Sequence, residues 1–181
     1  AGLGGGSADA AFTLKLLNDL FELKISNAQL KNFASQLGSD CAFFIDGKPS
    51  IAKSKGEELA ALNLDLSSYH IIIIHPGIHV NTSWAYAQID AASFQKINSI
   101  NLVSTIKKPI AEWKELLKND FEDVVFKKYP QIKELKKMFY DQGAIYASMS
   151  GSGSAVYGLF EKEPVDFPFQ NSMKYFSVKL H

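Results

Sequence analysis

Apolar residues recur at three- and four-residue spacing in two stretches near the start of the chain. Phe12, Leu16, Leu17 and Leu20 follow that spacing between about Ala8 and Phe21, which predicts a helix with those four as its buried stripe. Ser7 is placed to cap it, with Asp9 in its first turn facing free N–H groups. Ser26 and Gln29 form a capping-box pattern for a second helix, Leu30, Phe33, Ala34 and Leu37 make one face, and Gly38 stops it. From Cys41 to Lys55 the pattern turns extended, and Asp46-Gly47 predicts a hairpin turn between two short strands. Ile51, followed by Lys53, Ser54 and Lys55, reads as a strand running out to the surface.

Residues 58–69 read as a crossover into a second unit. His70 to His75 encloses four isoleucines and stops at Pro76-Gly77, the pattern of a strand covered on both faces. Thr82 or Ser83 caps a helix starting near Trp84, and Pro109 opens another with Trp113, Leu116 and Leu117 inward. Asn119 and Glu122 repeat the capping-box pattern ahead of Val124 and Val125. Pro130 begins a helix carrying Ile132, Leu135, Met138 and Phe139, ended by Gly143. Extended segments follow at Ala144–Met149 and Ala155–Phe160, and Phe176, Val178 and Leu180 alternate at period two. Strands enclosing helices in this order predict a compact α+β sandwich. Trp84 and Trp113 read as core residues, and Lys127-Lys128 and Lys136-Lys137 as solvated helix faces.

Composition narrows the function. At 181 residues the chain holds one domain or two small ones, and 46% hydrophobic residues supply a real core. Nineteen basic residues balance nineteen acidic ones, which argues against a bulk electrostatic grip on nucleic acid. The single cysteine, Cys41, excludes an internal disulfide and a cysteine-rich zinc site, and reads as a small buried filler. The four histidines show no metal-ligand spacing. No apolar run approaches the roughly 20 residues of a membrane span, and no basic leader precedes an apolar stretch. The expected setting is cytoplasmic, without membrane or nucleic-acid partners.

Four segments can carry chemistry. In Gly2-Leu3-Gly4-Gly5-Gly6-Ser7, glycines without Cβ let successive N–H groups converge on an anion, and the helix behind adds its positive end. A flexible or packing loop is the alternative. Asp40, in Gly38-Ser39-Asp40-Cys41-Ala42-Phe43-Phe44, can take a proton from an alcohol or cap local N–H groups. Ser150-Gly151-Ser152-Gly153-Ser154 can close over phosphate oxygens or make a tight hairpin connection. Thr82 and Tyr86, one helical turn apart, offer a hydroxyl and an aromatic platform, or a cap and a core ring.

Taken in order, these segments resemble the GHMP small-molecule kinases. Gly2 to Ala11 is similar to their phosphate loop and first helix, and Ser150 to Ser154 to their C-terminal glycine motif. Leu37-Gly38-Ser39-Asp40 leading into Phe43-Phe44, Lys55-Gly56-Glu57, and Pro76-Gly77 through Thr82 and Tyr86 point within the family to members acting on 4-diphosphocytidyl-2-C-methyl-D-erythritol. The resemblance implies an α+β fold in two parts. Residues 1–65 are the remainder of a ribosomal-protein-S5-like N-terminal, ATP-binding domain, and residues 66–181 a ferredoxin-like C-terminal domain. It implies an upstream portion of the same protein that supplies strands, a lysine near the transferred phosphoryl group and part of a cytidine pocket.

The implied reaction moves the γ-phosphoryl of ATP, accompanied by Mg2+, to the acceptor's 2-hydroxyl in non-mevalonate isoprenoid precursor synthesis. Asp40 matches the catalytic carboxylate, and Gly2, Leu3, Gly4, Gly5, Gly6 and Ser7 the ATP phosphate site. Thr82, Tyr86, Gly151 and Gly153 match substrate-binding positions, with Tyr86 stacking on cytosine. No metal ligand is assigned. Ala42 stands where the family commonly has proline, and Cys41 where it has a small aliphatic residue. Another member of the family, such as a mevalonate-pathway kinase, and an inactive anion-binding fragment are the other readings.

Overall fold

Among the described residues, buried apolar side chains collect into two clusters, and the chain divides into two units, Gly4–Leu64 and Ala1–Leu3 with Asp65–His181. The structure, a computed structural model, describes residues 2–53, 56, 58–89, 102–169 and 172–180. Ser54, Lys55, Glu57 and His181, which entered the sequence reading, lie outside the described residues.

In the Gly4–Leu64 unit, α1 spans Gly5–Leu20 and starts three residues earlier than the serine cap predicts. Gly4 is the N-cap, in the left-handed region at φ 64°, and turns the chain into the helix at no steric cost. Ser7 is therefore inside the helix and makes no cap, and Asp9 lies beyond the first turn. The predicted stripe is also reversed: Phe12, Leu16, Leu17 and Leu20 are 58%, 63%, 41% and 67% exposed, while Ala11 is fully buried. α1 is apolar on two sides, and the side with small residues packs inward, with Ala10 and Leu14 beside Ala11.

α2 (Asn27–Leu37) has the capping box read from the sequence: Gln29 N–H donates to Ser26 Oγ, and Ser26 N–H to Gln29 Oε1. Ser26→Ala is expected to lower stability by about 1 kcal/mol, measured by urea titration. An unchanged midpoint would show that the box contributes nothing. The segment after Asp40 is not extended as predicted. It forms a short helix, α3 (Cys41–Asp46), burying Cys41, Ala42 and Ile45 and ending on Gly47 at φ 60°. Asp46-Gly47 thus ends a helix rather than turning a hairpin. A run of consecutive apolar residues suits either state, and packing of α3 on α1 and α2 decides it. The antiparallel pair comes later, between β1 (Ser50–Lys53) and β2 (Glu58–Ala61).

The other unit is a four-stranded antiparallel sheet with helices. Its strands are β3 (His70–His75), β4 (Tyr146–Met149), β5 (Val156–Phe160) and β6 (Lys174–Lys179), in the order β4-β5-β3-β6. Second, third, first, fourth is the strand order of a ferredoxin-like plait, although the described part of the β5–β6 connection is irregular. Between β3 and β4 run α4 (Thr82–Gln88), α5 (Leu102–Ile106), α6 (Ile110–Leu116), α7 (Phe121–Lys128) and α8 (Pro130–Asp141). The core joins Ile72, Ile74, Val156 and Phe160 of the sheet to Val125, Ile132, Leu135 and Phe139 of the helices. Gly158 pairs with Ile72 and lies directly beneath Phe139. Ile71 and Ile73 are only half-buried, so the second face of β3 is less covered than the isoleucine run predicts.

Three local expectations are corrected here. Asn81 rather than Thr82 or Ser83 caps α4, its side chain accepting from Trp84 N–H. Asn119 and Glu122 form no capping box, because Asp120 is the N-cap of α7 without a side-chain hydrogen bond and the Glu122 side chain turns inward. Lys136 is not a solvated face: it pairs with the buried Glu122 at 2.6 Å. No helix of the described residues is long and apolar enough to cross a membrane.

Candidate functional site

The predicted site residues fall into two groups, one in each unit. In the Gly4–Leu64 unit, Gly4 needs both its positive φ and its missing side chain, since a Cβ there would stand 3.0 Å from the Phe44 ring. The chain is helical from Gly5, yet the first amide with a helical acceptor is that of Ala8, which donates to Gly4 O at 2.9 Å. The N–H groups of Gly5, Gly6 and Ser7 therefore lead the helix without an intrahelical partner. Gly5 and Gly6 are exposed, and nothing stands within 4 Å of where a Cβ would be. Leading amides on a sixteen-residue helix that opens on two exposed glycines fit an anionic oxygen cluster such as a phosphate.

Asp40 belongs to the same unit, at the start of α3, whose Phe44 packs against Gly4. Its carboxylate is exposed and makes no hydrogen bond to the leading amides of α3. Ser39 Oγ donates to Asp40 Oδ1 at 3.2 Å. The Gly56 backbone, at φ 106°, comes so close that a Cβ there would lie 3.8 Å from that oxygen and 3.4 Å from Ser39 O. Asp40 is thus an exposed carboxylate with one side-chain hydrogen bond, from Ser39, and is not used as a cap.

The second group is built on the β4–β5 turn. Gly2, at φ 84°, packs so tightly that a Cβ would meet Gly153 O at 2.8 Å; Leu3 beside it is exposed. Gly153 is buried at φ 93°, with Met149 Sδ 2.8 Å from its missing Cβ, whereas Gly151, at φ 53°, is exposed and unobstructed. Thr82 Oγ1 and Ser152 Oγ share a hydrogen bond of 3.0 Å, which brings the start of α4 to this turn. Tyr86 is 60% exposed and stands edge-to-face on Phe121 at 4.9 Å, so it is a ring supported on one side rather than a core residue. Behind the turn, burial pushes the phenols of Tyr146 and Tyr157 up, and both keep their protons at neutral pH.

Sequence reasoning missed what supports this turn. Asn119 Nδ2 donates to Met149 O at 2.7 Å and Gly151 O at 2.8 Å, and Met149 N–H donates to Glu122 Oε1 at 2.9 Å. One signal was present: Glu122 shares the inward face of α7 with Val125 three residues on, where a charge needs a buried partner. Among the described residues no group of three or more His, Cys, Asp or Glu side chains is placed to hold a metal ion.

The chain was compared with known families, curated proteins and solved structures. The family model described as GHMP kinases N terminal domain matches residues 1–48, and that described as GHMP kinases C terminal matches residues 101–171. The chain is 52% identical over 163 residues to a 4-diphosphocytidyl-2-C-methyl-D-erythritol kinase of Bacteroides thetaiotaomicron, covering 90% of this chain and 58% of that protein. A crystal structure of 4-(cytidine 5'-diphospho)-2C-methyl-D-erythritol kinase is similar at a TM-score of 0.68 and 31% identity, over 88% of this chain and 57% of that one. The L. major mevalonate kinase in complex with R-mevalonate is similar in fold, with a TM-score of 0.54 at 13% identity over 97% of this chain and 66% of that one. The chain thus spans less than two thirds of the length of the curated relatives it matches. With an N-terminal and a C-terminal model of one family matching in order, and the fold agreeing, the chain belongs to the GHMP kinase family.

Proposed function

We propose that the full-length protein carrying this chain transfers the γ-phosphoryl group of ATP to the 2-hydroxyl of 4-diphosphocytidyl-2-C-methyl-D-erythritol, a cytoplasmic step of non-mevalonate isoprenoid precursor synthesis. The observation that carries the chemistry is the presence, in one unit, of leading helix amides without intrahelical partners at Gly5, Gly6 and Ser7 and of the exposed carboxylate of Asp40. The substrate is supported by 52% identity to a relative of that name against 13% to the mevalonate kinase. Residues 1–65 would be the remainder of the ATP-binding domain and residues 66–181 the C-terminal domain.

Phosphoryl transfer asks little covalent chemistry of a protein; it needs positioning and stabilisation of charge on the transferred oxygens. Gly4 turns the chain so that the amides of Gly5, Gly6 and Ser7 meet phosphate oxygens. Asp40 accepts the proton of the attacking hydroxyl or aligns it, and Ser39 orients the carboxylate. Mg2+ is proposed to enter with the nucleotide and to neutralise phosphate charge; no residue here is assigned to it. Thr82, Gly151 and Gly153 would contact the acceptor's polar chain, and Tyr86 would stack on cytosine.

The chain is proposed to be completed by an N-terminal portion of the same protein. The large apolar residues left exposed on the Gly4–Leu64 unit, Phe12, Leu16, Leu20 and Phe21 foremost, support this, as does the shorter span relative to its relatives.

The test is phosphorylation by the full-length protein of the cytidyl acceptor and of mevalonate, followed by ADP release. Transfer to the cytidyl acceptor is expected. Transfer to mevalonate alone would replace the substrate, and no transfer to either would leave an anion-binding module. Tyr86→Ala is expected to raise the acceptor KM by about tenfold or more, the scale of losing a base-stacking ring, with the ATP KM unchanged. An equal change in both constants would reduce Tyr86 to packing.

A further inference from the structure

The β4–β5 turn is clamped from outside its own hairpin. β4 is an edge strand, and its last residue, Met149, has an N–H and a C=O that need partners away from β5. Both are taken by one short segment: Glu122 accepts from the N–H, and Asn119 donates to the C=O. Asn119 Nδ2 reaches further, to Gly151 O in the turn itself, while its Oδ1 accepts from Phe121 N–H at 3.0 Å. Glu122 is in turn held by Lys136 and by the Ser148 hydroxyl. The next turn residue, Ser152, shares its hydroxyl with Thr82, and Phe121 carries the ring against which Tyr86 leans. Asn119 is therefore where the glycine turn, the start of α4 and the Tyr86 support meet.

We propose that Asn119 is a positioning residue of the acceptor site: by holding Met149 O and Gly151 O it fixes the turn, and through Ser152 it sets the orientation of Thr82. This rests on the assignment of Thr82 and the turn to the acceptor. It adds a residue that touches no substrate and whose effect is directional. Loss of its two donated hydrogen bonds loosens acceptor binding, and nucleotide binding is untouched.

Asn119→Asp keeps the acceptor for Phe121 N–H, removes both donations and sets a carboxylate oxygen against the two carbonyls they served. In the full-length enzyme, initial rates with the cytidyl acceptor and ATP should show an acceptor KM raised about tenfold, the size of one lost good hydrogen bond. The ATP KM should stay within about twofold. Ser152→Ala should raise the acceptor KM as well, and the Asn119→Asp/Ser152→Ala double variant should be no worse than Asn119→Asp alone, because both act along one path. Multiplying effects, equal shifts in both KM values, or an unchanged acceptor KM would overturn the proposal. If Asn119→Asp does not fold, Asn119→Ser is read in its place, and failure of both to fold overturns the proposal in favour of a structural clamp. A wild-type enzyme inactive on the cytidyl acceptor would instead defeat the functional reading beneath it.

Discussion

Asp40→Asn in the full-length enzyme is expected to lower turnover by about 10²–10⁴-fold, the usual contribution of a positioned general base. The amide has the carboxylate's shape and keeps an oxygen for Ser39 Oγ, but it cannot take a proton at neutral pH. Because Asp40 is exposed and caps no amide of α3, little structural damage should accompany the loss. ATP affinity, measured by calorimetry, should stay within about threefold, since the amides proposed to hold the phosphates lie on α1. Unchanged turnover would remove Asp40 from the chemistry, and a matched loss of folding would make it a structural residue.

Gly158→Ala is expected to destabilise the sheet strongly by overpacking it against Phe139. Its Cβ would stand 2.4 Å from Phe139 Cδ1, well inside contact distance. Phe139 cannot swing away freely, because it is fully buried and packs against Phe160 and Phe167. Overpacking of this kind costs about 3 kcal/mol, which lowers the melting temperature of a chain this long by roughly 6–12 °C. Thermal unfolding followed by circular dichroism measures it. A melting temperature within a degree of wild type would mean that α8 can lift off the sheet, contrary to the tight contact described here.

Much of the second unit was legible because its signals are local and redundant. Four isoleucines between histidines, a proline opening α8 and a glycine just beyond it, and period-two alternation in β6 each point to one element. The first unit was less legible. Ser7 carries the capping side chain that the sequence favours, but Gly4 reaches the left-handed turn that starts α1 three residues earlier. Cys41–Asp46 is apolar without periodicity, so its helical state is settled by contacts with α1 and α2 that spacing does not encode. The orientation of α1 failed for a related reason: apolar residues on two sides leave the buried side to be chosen by close packing, and Ala11 fits where Leu16 does not.

At the candidate site, residue types were readable and their supports were not. Glycines, a carboxylate after a helix end and a hydroxyl–aromatic pair are visible in order along the sequence. That Asn119 and Glu122 reach across about 30 positions to hold one residue of β4 depends on a pairing only the fold creates.

The most direct test is a crystal structure of the full-length protein with a non-hydrolysable ATP analogue and the cytidyl acceptor. Phosphate oxygens should lie within hydrogen-bond distance, about 2.7–3.2 Å, of the Gly5, Gly6 and Ser7 amides, with the acceptor's 2-hydroxyl equally close to the Asp40 carboxylate. A nucleotide bound away from the start of α1, or an acceptor hydroxyl facing a base other than Asp40, would contradict it.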